Sequence, residues 1–309
     1  MSHATLESSP LSSPAAATAA VVAASVGFGL VPLFARELQA AGVADAAIAF
    51  YRFAFTALLL LPLLPRAPEK RRPALAMGAT GLLVSLGWLG YLDALRMLPV
   101  ASAGVVYMSY PLFALLFGFL LTGVRSGWRG WLAGGMILAG AMVLADGGGL
   151  AGATPASLAK ALAAPLTFGL AIVIFTNVVH GLTSAERLVC AAIGSVLGMT
   201  PLLAATPAAG FLPEDAAAWA LIAAMALVTA LLPQLVYMAA APRVGPGRAA
   251  AAGSVELPTM IAIGALAFGE ALGPREIASA ALVLAAILVA PAVRPGQAGL
   301  TGRKRLFGL

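Results

Sequence analysis

The chain has 309 residues, of which 61% are hydrophobic and only 10% charged, with a mean hydropathy of +0.98. A soluble domain carries roughly a quarter of charged residues, so this composition excludes one and leaves a polytopic membrane protein. Alternating ten-residue strands are absent, which excludes a closed barrel. The net charge of +6 and pI of about 10.0 come from cations scattered through short loops rather than from one basic face, which argues against nucleic acid as a partner.

A helical span needs about 20 apolar residues. Windows of that kind, bounded by charge or by Pro and Gly clusters, predict ten spans: 17–35, 46–65, 75–97, 99–122, 128–146, 158–179, 187–206, 217–241, 247–269 and 276–293. Residues 1–16 are a Ser-, Pro- and Ala-rich tail with His3 and no basic n-region, so the run after them reads as a retained first helix. Spans three and four are nearly fused across Met97 to Pro99, and spans eight and nine across Arg243 to Pro246. The Gly-rich segment Asp146 to Ser157 reads as a linker. Cys190, the lone cysteine, lies in span seven, which excludes a disulfide framework and a cysteine metal site.

Lysines and arginines in short loops favour the cytoplasm. With the amino terminus inside, thirteen of the 18 fall on the inner side: Arg66, Lys70, Arg71, Arg72, Arg125, Arg129, Arg187, Arg243, Arg248, Arg294, Arg303, Lys304 and Arg305. Four, Arg36, Arg96, Lys160 and Arg275, fall outside, and Arg52 falls within span two. The stretch from Tyr237 to Pro291 has an earlier copy: moved back by 147 positions, it places Pro246 on Pro99, Pro258 on Pro111, Glu270 on Gly123 and Glu256 on Ser109. Five spans per half is odd, so the second copy enters from the opposite side. The expected fold is therefore all-α, ten transmembrane helices in two inverted five-helix repeats with both termini cytoplasmic. Repeat one covers 17–146 and repeat two 158–293, with 1–16 and 294–309 as tails. Inverted repeats characterise secondary transporters with a midplane site.

Several positions carry a family resemblance. They are Gly27-Phe28-Gly29 in span one, Arg52, Tyr91 to Leu95, Pro99-Val100-Ala101-Ser102 and Pro111, then Phe168-Gly169-Leu170, Tyr237 to Ala241, Pro246, Pro258 and Phe268-Gly269-Glu270. In order and duplication the chain resembles the EamA family of the drug/metabolite transporter superfamily, over residues 17 to 293. It looks most like the YddG-type branch of amino-acid exporters. The resemblance implies export of small metabolites, aromatic and other neutral amino acids foremost, by alternating access across a bacterial inner membrane. It departs from the family where Gly123 stands for a glutamate and where span seven has no counterpart of Arg52.

Among the residues themselves, Glu256 is the one midplane carboxylate, suited to a substrate ammonium, to a coupling proton or to joining helices. Arg52 suits a substrate carboxylate, with a structural partner such as a carbonyl, Asp93 or Glu37 the preferred reading. Trp88 and Tyr91 recur every three residues with Ser85, as Tyr107 and Tyr110 do in the next span, so each set shares a helical face. Such faces line cavities or pack, and aromatic faces hold ammonium groups by cation–π attraction. Tyr237 is expected to oppose span three, and Phe28 and Phe168 to sit at glycine-flanked bends. Gln234 is expected to serve carbonyls freed by Pro233, and Asn177 and His180 are further polar candidates, His180 at a solvated end. Pro32, Pro111, Pro165, Pro201, Pro233 and Pro258 are expected to kink spans, Pro111 and Pro258 as helix-bending counterparts. Glu270 is expected at an outer helix end, and the Gly130/Gly134 pair at a close helix contact within or between protomers.

No phosphate-binding loop and no metal-ligand cluster is found in the sequence, so neither a catalytic residue nor a cofactor is expected. The expected partners are a small-molecule substrate and the lipid bilayer; a monomer suffices, and the oligomeric state is open. The reading is a secondary carrier operating as a uniporter. The alternatives are a carrier of other metabolites or drugs coupled to proton exchange and, outside transport, a receptor or scaffold.

Overall fold

The computed structural model describes residues 13–123, 127–146, 154–244 and 252–289. The tails with His3, linker residues 147–153, Pro246, the Asn177 side chain and the cations Arg125, Arg248, Arg294, Arg303, Lys304 and Arg305 lie outside these. Every regular element among the described residues is helical. In chain order they are α1 (Pro14–Gly29), α2 (Val31–Ala40), α3 (Asp45–Leu60), α4 (Arg71–Met97), α5 (Val100–Tyr107), α6 (Tyr110–Thr122) and α7 (Trp128–Asp146). There follow α8 (Pro155–Val173), α9 (Ser184–Ala204), α10 (Ala208–Phe211), α11 (Ala216–Ala226), α12 (Leu232–Val244), α13 (Glu256–Phe268) and α14 (Pro274–Val289).

Seven helical runs among the described residues are long and apolar enough to cross a membrane: Pro14–Ala40, Asp45–Leu63, Pro68–Met97, Val100–Leu121, Pro155–Val173, Ser184–Ala204 and Ala216–Ala241. Helix α13, the ninth predicted span, is shorter, with 13 residues. Its chain turns at Ser254–Val255 and the helix restarts at Glu256. The outward faces are what a bilayer would contact: Leu266 is 87% exposed, Trp131 79% and Leu75 74%, and large contiguous apolar surface is rare on soluble monomers.

Helix ends follow local chemistry. Thr154 and Thr183 each form a capping box, with Ser157 and Glu186 respectively, so α8 and α9 start where side chains satisfy free amides. Helices α6 and α13 both end on glycines in the left-handed region, Gly123 (φ 71) and Gly269 (φ 64). Each of these two helices has 13 residues. Their caps are 146 residues apart and set Glu256 opposite Tyr110, whereas Pro111 and Pro258 are 147 apart and set it opposite Ser109.

The prolines act unequally. The first span breaks at Leu30, two residues before Pro32, and the fourth at Met108–Ser109, just before Pro111. Pro258 sits in the first turn of α13, where its missing N–H is tolerated. Helices α8 and α9 continue through Pro165 and Pro201. Of the bends expected at the two Phe residues, one falls beside a helix break. Phe28 precedes the Leu30 break, whereas Phe168 lies in unbroken α8, and that span deviates only at the π-turn Ile174–Val178.

Helix α4 sits between α8 and α9, and α1 packs on α12 and α13. Likewise α3 packs on α9 and α11, α6 on α8, and α7 on α14. Small residues make this possible. A Cβ on Gly81 would lie 1.9 Å from the Ala191 carbonyl oxygen, and Ser195 Oγ donates to the Gly81 carbonyl at 2.8 Å. Ser279 Oγ makes the matching bond from α14 to Gly140 in α7, at 2.7 Å. Such small-residue contacts with a serine bridge are the means by which apolar helices associate without water to drive them. Gly130 is buried, and a Cβ on Gly134 would lie 2.9 Å from Leu112 Cδ1 of α6.

The two ends of the bundle differ. At one end, Arg36 Nη1 pairs with Glu270 Oε1 at 2.7 Å and donates from its other nitrogens to the Leu95 and Leu98 carbonyls. Both Glu270 oxygens accept from the Val100 amide, at 2.9 and 2.8 Å, capping α5. At the same end Arg96 pairs with Asp45, Lys160 with Asp93, and Tyr51 Oη donates to the Phe211 carbonyl. The largest apolar core lies here and draws on α2, α3, α4, α5, α8, α9, α11, α13 and α14. At the other end Lys70 pairs with Glu186, and the buried residues fall into separate clusters, one around Met77 and Val189 and one around Val21 and Ala240.

Candidate functional site

Where the helices break, aromatic rings meet. Tyr91 of α4, Tyr107 at the end of α5 and Tyr110 at the start of α6 follow one another with ring centroids 5.3 and 5.9 Å apart. Phe168 of α8 lies 6.0 Å from Tyr107 and 5.0 Å from Tyr110. Trp88 extends the chain of rings, 5.6 Å from Tyr91 and 6.2 Å from Phe53 of α3. The predicted aromatic positions of spans three, four and six are thus brought together. Tyr237 is corrected: its ring neighbour is Phe28 of α1, at 6.3 Å, not span three, because α12 packs against α1.

Glycine allows the broken helices to close on each other. A Cβ on Gly29 would lie 2.6 Å from Thr259 Cβ and 2.8 Å from the Glu256 carbonyl oxygen; one on Gly169 would lie 2.7 Å from Phe113 Cβ and 2.8 Å from the Tyr110 carbonyl oxygen. The residues met, Glu256 and Thr259 in one case and Tyr110 and Phe113 in the other, are in each pair 146 positions apart. Each half thus seats the start of its broken helix on a glycine of the other half.

Glu256 opens α13, where the helix dipole favours a negative charge. It is half-buried. Its electrostatic neighbours are Arg52, Tyr91, Tyr107, Tyr110 and Tyr237. Trp88, Tyr107, Tyr110, Phe168, Phe28 and Tyr237 also keep partial exposure, whereas Tyr91 is 4% exposed.

Arg52 is buried in α3. Its Nη2 donates to the Thr229 carbonyl at 2.8 Å, its Nε contacts Thr229 Oγ1 at 3.4 Å, and its guanidinium carbon lies 4.0 Å over the Trp88 ring. The sequence explains the first bond. Thr229 would bond the amide four residues on, which is Pro233 and has none. The carbonyl is therefore free for a donor from another helix, and the π-turn Leu227–Leu231 loosens the same stretch. Arg52, rather than the expected Gln234, takes that role. The preferred carbonyl partner of Arg52 is found, while Asp93 pairs with Lys160 and Glu37 is exposed. Glu270 stands at a helix end, joined to Arg36, and His180 is exposed.

Thr229 joins the site without an expectation from sequence; its signal there is that it stands four residues before Pro233. An open groove of about 900 Å³ along Ser13 to Ala23 is a separate surface feature of α1, lined by small, uncharged residues.

The fold and this ring of aromatic side chains around one acid and one base define a multi-pass helical membrane protein with a polar, aromatic centre. Residues 16–145 match the EamA-like transporter family, which supports a membrane transporter of small molecules. A chain of 19% identity, whose crystal structure is described simply as that of a protein, superposes with a TM-score of 0.59 over 90% of this chain and 96% of its own. At that identity the likeness concerns the fold. No curated protein matches the chain by sequence.

Proposed function

We propose that the protein is an inner-membrane secondary carrier that exports aromatic and other neutral amino acids by alternating access. Ten spans in two inverted repeats are arranged around the aromatic centre, with both termini on the cytoplasmic side. The observation that carries this reading is the convergence of Tyr91, Tyr107, Tyr110 and Phe168 with Glu256 where the helices break. A site lined by aromatic rings suits an apolar or aromatic solute, and a single acid suits its ammonium.

The inverted repeat is supported by reciprocal packing: α4 lies on α8 and α9, as the π-turned α11–α12 span lies on α1 and α3. The shared offset of 146 at caps and glycine seats supports it further. Alternating access is supported by one end being sealed through Arg36, Glu270 and a continuous core, while the other divides into separate clusters. Charge distribution supports the sealed end being the outer one. With one midplane carboxylate and no phosphate-binding loop, the reading is uniport down the substrate gradient.

Counterflow tests it. Liposomes bearing the purified protein and loaded with unlabelled L-phenylalanine should transiently accumulate external labelled L-phenylalanine above equilibrium, and protein-free liposomes should not. Absence of counterflow for phenylalanine, tyrosine, tryptophan and leucine alike contradicts the amino-acid reading.

A further inference from the structure

Arg52 and Glu256 are a cation and an anion held in the centre of the bundle without touching. Among the described residues no nitrogen–oxygen contact within 4.0 Å joins them, yet each lies in the other's electrostatic field. Arg52 spends Nε and Nη2 on Thr229, which leaves Nη1 without a hydrogen-bond partner among the described residues. No described donor bonds the Glu256 carboxylate.

A third group is also left over. The Tyr91 hydroxyl is buried, has no hydrogen-bond partner, and lies in the field of both charges. Buried hydroxyls are almost always satisfied. The polar groups without partners are linked through the rings between them: the Arg52 guanidinium lies 4.0 Å over Trp88, Trp88 is 5.6 Å from Tyr91, and Tyr91 is 5.3 Å from Tyr107.

We propose that Arg52 and Glu256 form a zwitterion-binding subsite, in which Arg52 Nη1 with the Tyr91 hydroxyl receives the α-carboxylate and Glu256 receives the α-ammonium. The inference rests on the amino-acid reading above and adds how the substrate is oriented. The stacking of Arg52 on Trp88 fixes the guanidinium plane, so that Nη1 is presented rather than free to swing. The ammonium lies between the carboxylate and the faces of the tyrosines, and an aromatic substrate side chain extends along Tyr107 and Phe168. A compound carrying only one of the two charges would leave the opposite protein charge buried and unmatched, so discrimination comes from that unmatched group.

Three probes of one size separate the contributions: L-phenylalanine, phenethylamine, which lacks the carboxylate, and 3-phenylpropionate, which lacks the ammonium. Binding to the detergent-purified protein is read by calorimetry. Wild type should bind phenylalanine at least tenfold tighter than either analogue. Glu256→Gln should lose at least tenfold for phenylalanine and phenethylamine and hold or gain affinity for 3-phenylpropionate. Arg52→Gln should show the opposite pattern.

Because Arg52 also ties α3 to Thr229, Arg52→Lys serves as the variant that keeps the charge. It should fold and retain more phenylalanine affinity than Arg52→Gln. Retained binding of one analogue shows that each variant is folded. If phenylalanine binds but both variants weaken all three probes equally, the subsite assignment is overturned and the amino-acid reading stands. If none of the three binds the wild type, both fail.

Discussion

The residue with the largest energetic question is Glu256. A carboxylate at bilayer depth costs about 2.5–3.5 kcal/mol on insertion scales, and no described donor or cation bonds this one. Its neutral isostere should therefore not harm the fold: Glu256→Gln is expected to keep or raise the thermal unfolding midpoint while lowering phenylalanine counterflow at least tenfold. A fall in both would mean that the glutamate joins helices instead. Arg52 differs, since it donates to the Thr229 carbonyl that Pro233 leaves open. Truncating a buried hydrogen-bonded charge such as this, as in Arg52→Gln, is expected to destabilise by about 1–3 kcal/mol, measured by the same melting curve.

Among the elements, the broken helices and the glycine-lined contacts decide where the site lies. Gly81 tests this. Overpacking costs roughly 1–3 kcal/mol, and a Cβ there would meet the Ala191 carbonyl at 1.9 Å, so Gly81→Ala should lower the unfolding midpoint. Gly135→Ala is the control: nothing lies within 4 Å of that position, and alanine gains roughly 0.8–1.0 kcal/mol of helix propensity over glycine. Its midpoint should hold or rise.

This scale also shows what the sequence could reveal. The order of apolar windows, the break before Pro111 and the facing of Trp88, Tyr91, Tyr107 and Tyr110 were readable, because periodicity and proline act locally. Proline alone could not tell that Pro165 and Pro201 continue their helices, since neighbouring helices decide whether a missing bond is tolerated. The prolines and the glycine caps give offsets that differ by one residue, because Pro111 and Pro258 occupy different first-turn positions in α6 and α13. Tyr237 was assigned the wrong partner because which helices pack together is set by small residues such as Gly27 and Gly29, whose contacts are long-range.

For the whole molecule, the two ends are fastened differently, and the Arg36–Glu270 end carries most of the ties between halves. Glu270→Gln keeps the shape of the cap on α5 and removes the charge facing Arg36. Because solvent reaches Arg36, with 22% of its side chain exposed, the loss should be on the order of 1–2 kcal/mol, below that of a fully buried pair. It should appear as faster labelling of cysteines introduced at that end. In the proposed carrier cycle this end opens and closes around the aromatic centre. Cys190 is the lone native cysteine and is buried, so an added pair can be read cleanly. In the double variant Arg36→Cys, Glu270→Cys, a short bis-maleimide across the pair should abolish phenylalanine counterflow, while modification of either single variant should leave part of it. Counterflow that persists at full rate in the cross-linked double variant would contradict alternating access through this end.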